Sequence, residues 1–222
     1  MANVAAVPAS AQQPFGGFPV AALDFYDDLE VDNTKSFWEA HKQVYAESVK
    51  APFQALAAAL EPEFGPMKIF RPYRDVRFAK DKTPYKTHQG GFVRAGEATG
   101  WYVELSPRGV RTGGGFYDAS GPRLAAYREA VAHDRVGPEL EGMLSALEAA
   151  GFEIGGDRLK TAPRGYDAAH PRIELLRHRS LTVGRSLGFE PVIHTPAVLE
   201  LIRADWRALR PLVEWAAEHV RD

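Results

Sequence analysis

The sequence predicts an α+β protein built as one domain, with N-terminal helices, a central sheet that is mostly antiparallel or mixed, and C-terminal helices. Three observations carry this reading. The 222 residues are 45% hydrophobic and 25% charged, the size and composition of one elaborated soluble domain. Apolar residues recur at helical spacing before Gly65 and again after Thr195. The stretch between them is instead rich in proline, glycine pairs and β-formers.

Residues 1–17, rich in Ala, Gln, Pro and Ser, read as a loose tail, neither a secretory signal nor a membrane span, with the domain filling 18–222. Leu23, Tyr26 and Leu29 predict a first helix that stops before Asp32-Asn33-Thr34. A longer one follows through Phe37, His41, Tyr45, Val49, Phe53, Leu56 and Leu60, and Pro52 should kink or restart it. His41 reads as a packing residue among apolar neighbours. From Phe70 to Phe78, alternation predicts a strand with Arg74, Val76 and Phe78 facing inward. Trp101–Leu105 and Val110–Thr112 flank a Ser106-Pro107-Arg108-Gly109 turn and predict a hairpin, after which Gly113-Gly114-Gly115 should break the ladder as a bulge or turn. Two helices are expected around Leu124–Val131 and Leu140–Leu147, the second ended by Gly151. Gly155-Gly156-Asp157 predicts a second hairpin between Phe152–Ile154 and Arg158–Lys160. Leu181 and Val183 suggest a short strand, and the last helix should restart at Pro211.

A net charge of -2 argues against coating nucleic acid or membrane by bulk charge, yet the charge is unevenly placed. Eight Lys/Arg against two Asp between Lys68 and Arg94 give +6, and seven against two acids between Arg158 and Arg185 give +5. The rest of the chain then carries -13. Such confinement suits an anion site.

In the first block, Arg71, Arg74 and Arg77 offer planar donor forks, Lys82 and Lys86 offer point charges, and Tyr73, Tyr85 and His88 stand among them. A sheet edge blunted by charge is the structural alternative. In the second, Lys160, Arg164, Tyr166 and Arg172 surround a predicted helix start at His170-Pro171 whose free backbone donors would favour an anion. An ordinary capped helix with surface arginines is the competing reading. His170, beside those arginines, is the candidate acid-base residue if the protein is catalytic; its competing role is to cap the turn.

These blocks, KIFRPYRDVRFAKDKTPYKTH from Lys68 and LKTAPRGYDAAHPRIELLRH from Leu159, together with Asn33-Thr34-Lys35-Ser36-Phe37-Trp38 and His41-Lys42, resemble the family catalogued as domain of unknown function 2461. The resemblance covers nearly everything after the tail. It implies a compact α+β domain with no assigned activity, and signature positions at Arg71, Tyr73, Arg74, Asp75, Arg77, Lys82, Tyr85, Lys86, Lys160, Arg164, Tyr166, His170 and Arg172.

Much chemistry is excluded. With no cysteine there are no disulfides, thiolate metal sites or cysteine nucleophiles. His170, Glu174 and His178 are four apart, but three ligands over two turns are too spread for one ion, and HExxH is absent, so no metal is assigned. The glycine triplet fits no nucleotide-binding motif, no Gly-x-Ser-x-Gly occurs, and no cofactor is implied. Two function classes remain. One is a cationic pocket, of an enzyme or a sensor, in which the two basic segments converge as spatial neighbours on a small phosphate- or carboxylate-bearing ligand. The other is a nucleic-acid or acidic-protein surface in which the same arginines track phosphates and the tyrosines stack on bases. The expected setting is the cytoplasm without a membrane partner, and the oligomeric state is not legible.

Overall fold

The computed structural model describes residues 14–78, 80–119 and 121–221. Most of the expected tail lies outside the described residues; its end does not, because Phe15 is buried edge-to-face against Phe18. The packed chain therefore includes residues placed in the tail by sequence.

Helix α1 (Val20–Val31) is followed by α2 (Lys35–Val44), which Thr34 caps by accepting the Phe37 N–H at 3.2 Å. The chain then widens into a π-helical turn (Tyr45–Lys50) before α3 (Ala51–Phe64). The wide turn bonds Ala51 N–H to the Ala46 carbonyl and sets Pro52 in the first turn of α3, where its missing donor leaves no bond unmade. This is the physical form of the restart expected at Pro52.

Six strands, β1 (Met67–Ile69), β2 (Gln89–Gly96), β3 (Thr99–Ser106), β4 (Gly109–Phe116), β5 (Glu153–Gly155) and β6 (Leu181–Gly188), form one sheet in the order β1-β2-β3-β4-β6-β5. Every pairing is antiparallel. The hairpin expected at Ser106–Gly109 is present as β3–β4, and Gly109 supplies the positive φ of 88° its turn requires.

Other expectations are corrected. The glycine triplet does not break the ladder; Gly113, Gly114 and Gly115 pair with Tyr102, Trp101 and Gly100 on one side and Gly184, Val183 and Thr182 on the other. The irregularity sits earlier, between Val110 and Arg111. Ile154 pairs with Val183, not with the Arg158 segment, so no hairpin forms around Gly155-Gly156. Arg158 instead makes an isolated bridge to His178.

Helices α4 (Gly121–Ala132) and α5 (Val136–Ala149) follow β4, a single turn α6 (Ile173–Leu176) precedes β6, and α7 (Val198–His219) closes the fold. The expected break in the last helix does not occur, since α7 runs unbroken through Pro211. It packs its apolar face on β3 and β4: Trp101 Nε1 donates to the Trp206 carbonyl at 3.0 Å, and Trp206 Nε1 returns to the Tyr102 carbonyl at 3.1 Å. Buried Asp205 accepts from Thr112 at 2.6 Å and from Arg185. Gly114 makes the close approach possible, because a Cβ there would lie 2.9 Å from Val213 Cγ2.

The core thus lies between one face of the sheet and the helices. By alternation, Gly90, Phe92, Gly100, Tyr102, Glu104, Arg111, Gly113, Gly115, Thr182 and Gly184 project from the opposite face, which none of the described helices covers. Among the described residues, no helix is long and apolar enough to cross a membrane.

Candidate functional site

The first basic block is not a strand. Beyond Phe70, whose N–H still bonds the Gly90 carbonyl at 3.0 Å, the chain leaves the sheet and folds back on itself. Arg74 N–H reaches the Pro84 carbonyl, Lys86 N–H reaches the Pro72 carbonyl, and Tyr73 and Tyr85 form a single bridge. Phe78, expected inside, is 96% exposed. Prolines 72 and 84 explain the difference: each removes a donor from the two arms, so the alternating pattern has no continuous ladder to join. What anchors the loop is Tyr85, buried with its ring stacked on Trp38 at 4.3 Å and 7° from parallel. Asn33 clamps the same residue, donating to its carbonyl and accepting its N–H, both at 3.0 Å.

Inside the loop much of the positive charge is already partnered. Arg77 forms a two-point pair with Asp75, at 2.9 and 2.7 Å. Asp81 accepts from Arg74 and from both donors of Thr83, and Arg74 also donates to Thr83 Oγ1 at 2.6 Å. Of these contacts to Asp81, the hydrogen bond from Thr83 N–H does most to hold its carboxyl below the ordinary carboxylate range. Lys82 donates to the Val76 carbonyl at 2.9 Å. Arg71 is exposed and makes no ion pair among the described residues.

Two lysines at the root of the loop have a different environment. Lys86 Nζ lies 5.3 Å and Lys68 Nζ 5.8 Å from the centroid of the Phe70 ring, and neither has a carboxylate partner among the described residues. Burial, then the neighbouring Arg71, lowers the pKa of Lys86.

Phe70 opens onto a groove of about 380 Å³ that runs along the uncovered face of the sheet. Its floor is Gly100, Gly113, Gly114, Gly115 and Gly184; its walls include Phe92, Tyr102 and Tyr117, with Arg111 and Thr182 as its other polar side chains. The aromatic wall is held by the sheet itself. Phe92 and Tyr102 are cross-strand partners, Tyr117 meets Phe92 edge-to-face at 5.3 Å, and Gly90 leaves space for the Tyr102 ring. Behind that wall Tyr102 donates to Glu104 at 2.6 Å, and His88 Nε2 lies 3.9 Å from the same carboxylate oxygen. Burial first, and Glu104 second, push the Tyr102 phenol far up, so it stays a donor at all ordinary pH. A second, more open recess lined by Arg74, Asp75, Lys86, Thr87 and His88 adjoins this end.

The two basic blocks do not converge as the sequence suggests: the first follows β1 and the second follows β5, at the opposite edge of the sheet. Arg172 is turned inward and donates to the carbonyls of Val131 at 2.6 Å and Ala132 at 3.1 Å, capping α4. His170 Nδ1 accepts the Arg172 N–H at 3.0 Å, which is the turn-closing role; α6 begins only at Ile173 and is a single turn. Lys160 and Arg164 are exposed, and burial raises the pKa of half-buried Tyr166. None of Lys160, Arg164, Tyr166, His170 and Arg172 lines the groove. His178 is buried, its ring Nδ1 2.8 Å from the Ser180 carbonyl. Among the described residues, no three His, Asp or Glu are grouped to hold a metal ion.

The groove residues Phe92, Tyr102, Arg111, Tyr117 and Thr182 were not singled out by sequence. The signal existed in part: alternation through Trp101–Leu105 sets Tyr102 and Glu104 opposite Trp101, Val103 and Leu105.

No curated protein and no solved structure matches this chain. A family model does, that of a conserved hypothetical protein, DUF2461, across residues 21–215. That span takes in the π-turn, both basic blocks, every groove residue and most of α7, and on it the chain belongs to the DUF2461 family.

Proposed function

We propose that the protein binds a small phosphate- or carboxylate-bearing ligand in the groove on the uncovered sheet face, with the anion held at the Phe70 end by Lys68 and Lys86. The observation that carries this reading is the pair of lysines beside the Phe70 ring, which lines one end of an aromatic-walled groove, neither with a carboxylate partner among the described residues. A cavity of about 380 Å³ is of the size small ligands use. Two cations beside a low-dielectric wall lack a counter-charge that an anion supplies. Isothermal titration with inorganic phosphate and a panel of phosphorylated and carboxylated metabolites tests the reading. Lys86→Ala should weaken the best ligand roughly tenfold. Binding untouched by Lys68→Ala and Lys86→Ala together would place the anion elsewhere.

A second reading, single-stranded nucleic acid along the loop from Arg71 to Lys86, draws support from Phe78 and Tyr73, which are 96% and 50% exposed beside Arg77 and Arg71. Exposed rings between cations suit base stacking with phosphate contacts. An oligothymidylate in the same titration separates the two: its affinity should fall steeply with salt and depend on Phe78, whereas a groove ligand should not respond to Phe78→Ala.

A further inference from the structure

We infer that the body of the ligand is a planar aromatic ring lying in the groove between its aromatic wall and Arg111, and not a sugar. This rests on the small-anion reading above and names the class of molecule. The groove offers little to a polyhydroxylated body. Its polar side-chain groups are few: Arg111, Thr182 and the Tyr117 hydroxyl, while the Tyr102 hydroxyl is committed to Glu104 at 2.6 Å and the Thr112 hydroxyl to Asp205. Sugar hydroxyls moved from water into such a groove would lose hydrogen bonds they cannot recover. A flat ring has the opposite needs. Phe92 and Tyr102 supply ring faces and edges, and Tyr117 fixes the Phe92 plane at 89° to its own. Charge complementarity then sets the direction: the ring carries its anion toward Lys68 and Lys86, and Arg111 stands at the far side, where Glu153 at 3.6 Å is its ionic partner.

Gly113 shows that the space is kept open. Its φ is not left-handed, and an added Cβ would press on the Val183 carbonyl oxygen at 3.2 Å, a contact that a shift of a few tenths of an ångström relieves. A side chain at 113 would project onto the groove floor, beside the Tyr102 ring with which Gly113 is paired.

The probes are 1-naphthyl phosphate, glucose 1-phosphate and inorganic phosphate, titrated into the full chain. The naphthyl ester should bind at least about tenfold tighter than either other probe, the scale of aromatic stacking. Gly113→Val should weaken it by about tenfold while leaving inorganic phosphate unchanged, and Phe92→Leu gives the same result without touching the floor. Ligand-induced ring-current shifts of Phe92 and Tyr102 protons report the location in the wild-type chain. Equal or tighter binding of glucose 1-phosphate overturns the planar-ring inference and leaves the anion reading standing. Binding of none of the three removes both. Tight naphthyl binding without Phe92 or Tyr102 shifts removes the groove as its place.

Discussion

Arg172 donates through Nε to the main-chain carbonyl of Val131 at 2.6 Å. Its side chain is 9% exposed, and Gly137 leaves it room, since a Cβ at 137 would lie 2.4 Å from that same Nε. An arginine that looks like an anion ligand in sequence is thus the cap of α4. Arg172→Ala should lower unfolding stability by about 1.5–3 kcal/mol, the range for hydrogen bonds from a charged donor. Urea midpoints should drop at unchanged slope, and ligand affinity should not move. An affinity loss without destabilisation would restore Arg172 to the binding site.

Asn33 makes the corresponding tie for the first block. Its side chain satisfies both backbone groups of Tyr85, so Asn33→Ala removes two hydrogen bonds worth about 1–3 kcal/mol together. Because the loop beyond is rich in Arg and Lys, trypsin should cut it faster in the variant. Unchanged cleavage would mean the Trp38–Tyr85 stack suffices by itself.

His178 gives the fold a pH dependence. Burial, with a smaller contribution from Arg158, lowers its pKa below the ordinary 6.5, against the opposing Ser180 bond. The folded imidazole is neutral while the unfolded one takes a proton near 6.5, so the unfolded state binds more protons below that value. Stability is therefore fully present above pH 6.5 and declines as pH falls toward the depressed folded value. His178→Asn should flatten this part of the curve; an equally steep decline in the variant would assign it to other groups.

Gly114 and Gly113 are neighbours with opposite duties. Gly114→Val forces a side chain against Val213 and Leu209 and should cost about 1–3 kcal/mol by overpacking. Gly113→Val faces away from α7, presses only on the Val183 carbonyl oxygen at 3.2 Å, and should lower the thermal midpoint less than Gly114→Val does. Equal losses at the two positions would mean that both face the core.

The architecture was legible where local chemistry decides it: helix spacing, the Ser106–Gly109 turn, and proline at the head of a helix. It was misread where partners far away in sequence decide. The triplet Gly113–Gly115 has poor strand propensity, but β3 and β6 on both sides and α7 above hold it extended. Alternation at Phe70–Phe78 was real in the sequence and meaningless in the fold, because Pro72 and Pro84 leave one bridge where a ladder would stand. For the candidate site, residue type announced Lys86 and His88 at its border. It did not show that Arg77 and Arg74 already face Asp75 and Asp81, nor that an aromatic wall waits on β2 and β3, since pairing across strands is invisible to spacing along one.

The strand order also sets a timetable. Strands β2, β3 and β4 are joined by short turns and can zip locally, whereas Phe116 must find Leu181, 65 positions later, before β6 closes on β4. During that interval the exposed margin of β4 is a template for intermolecular pairing. Its Gly113-Gly114-Gly115 run makes that margin a poor one, low in strand propensity and without apolar side chains to offer. The same glycines that leave the finished groove open thereby keep the half-built sheet from recruiting a neighbouring chain.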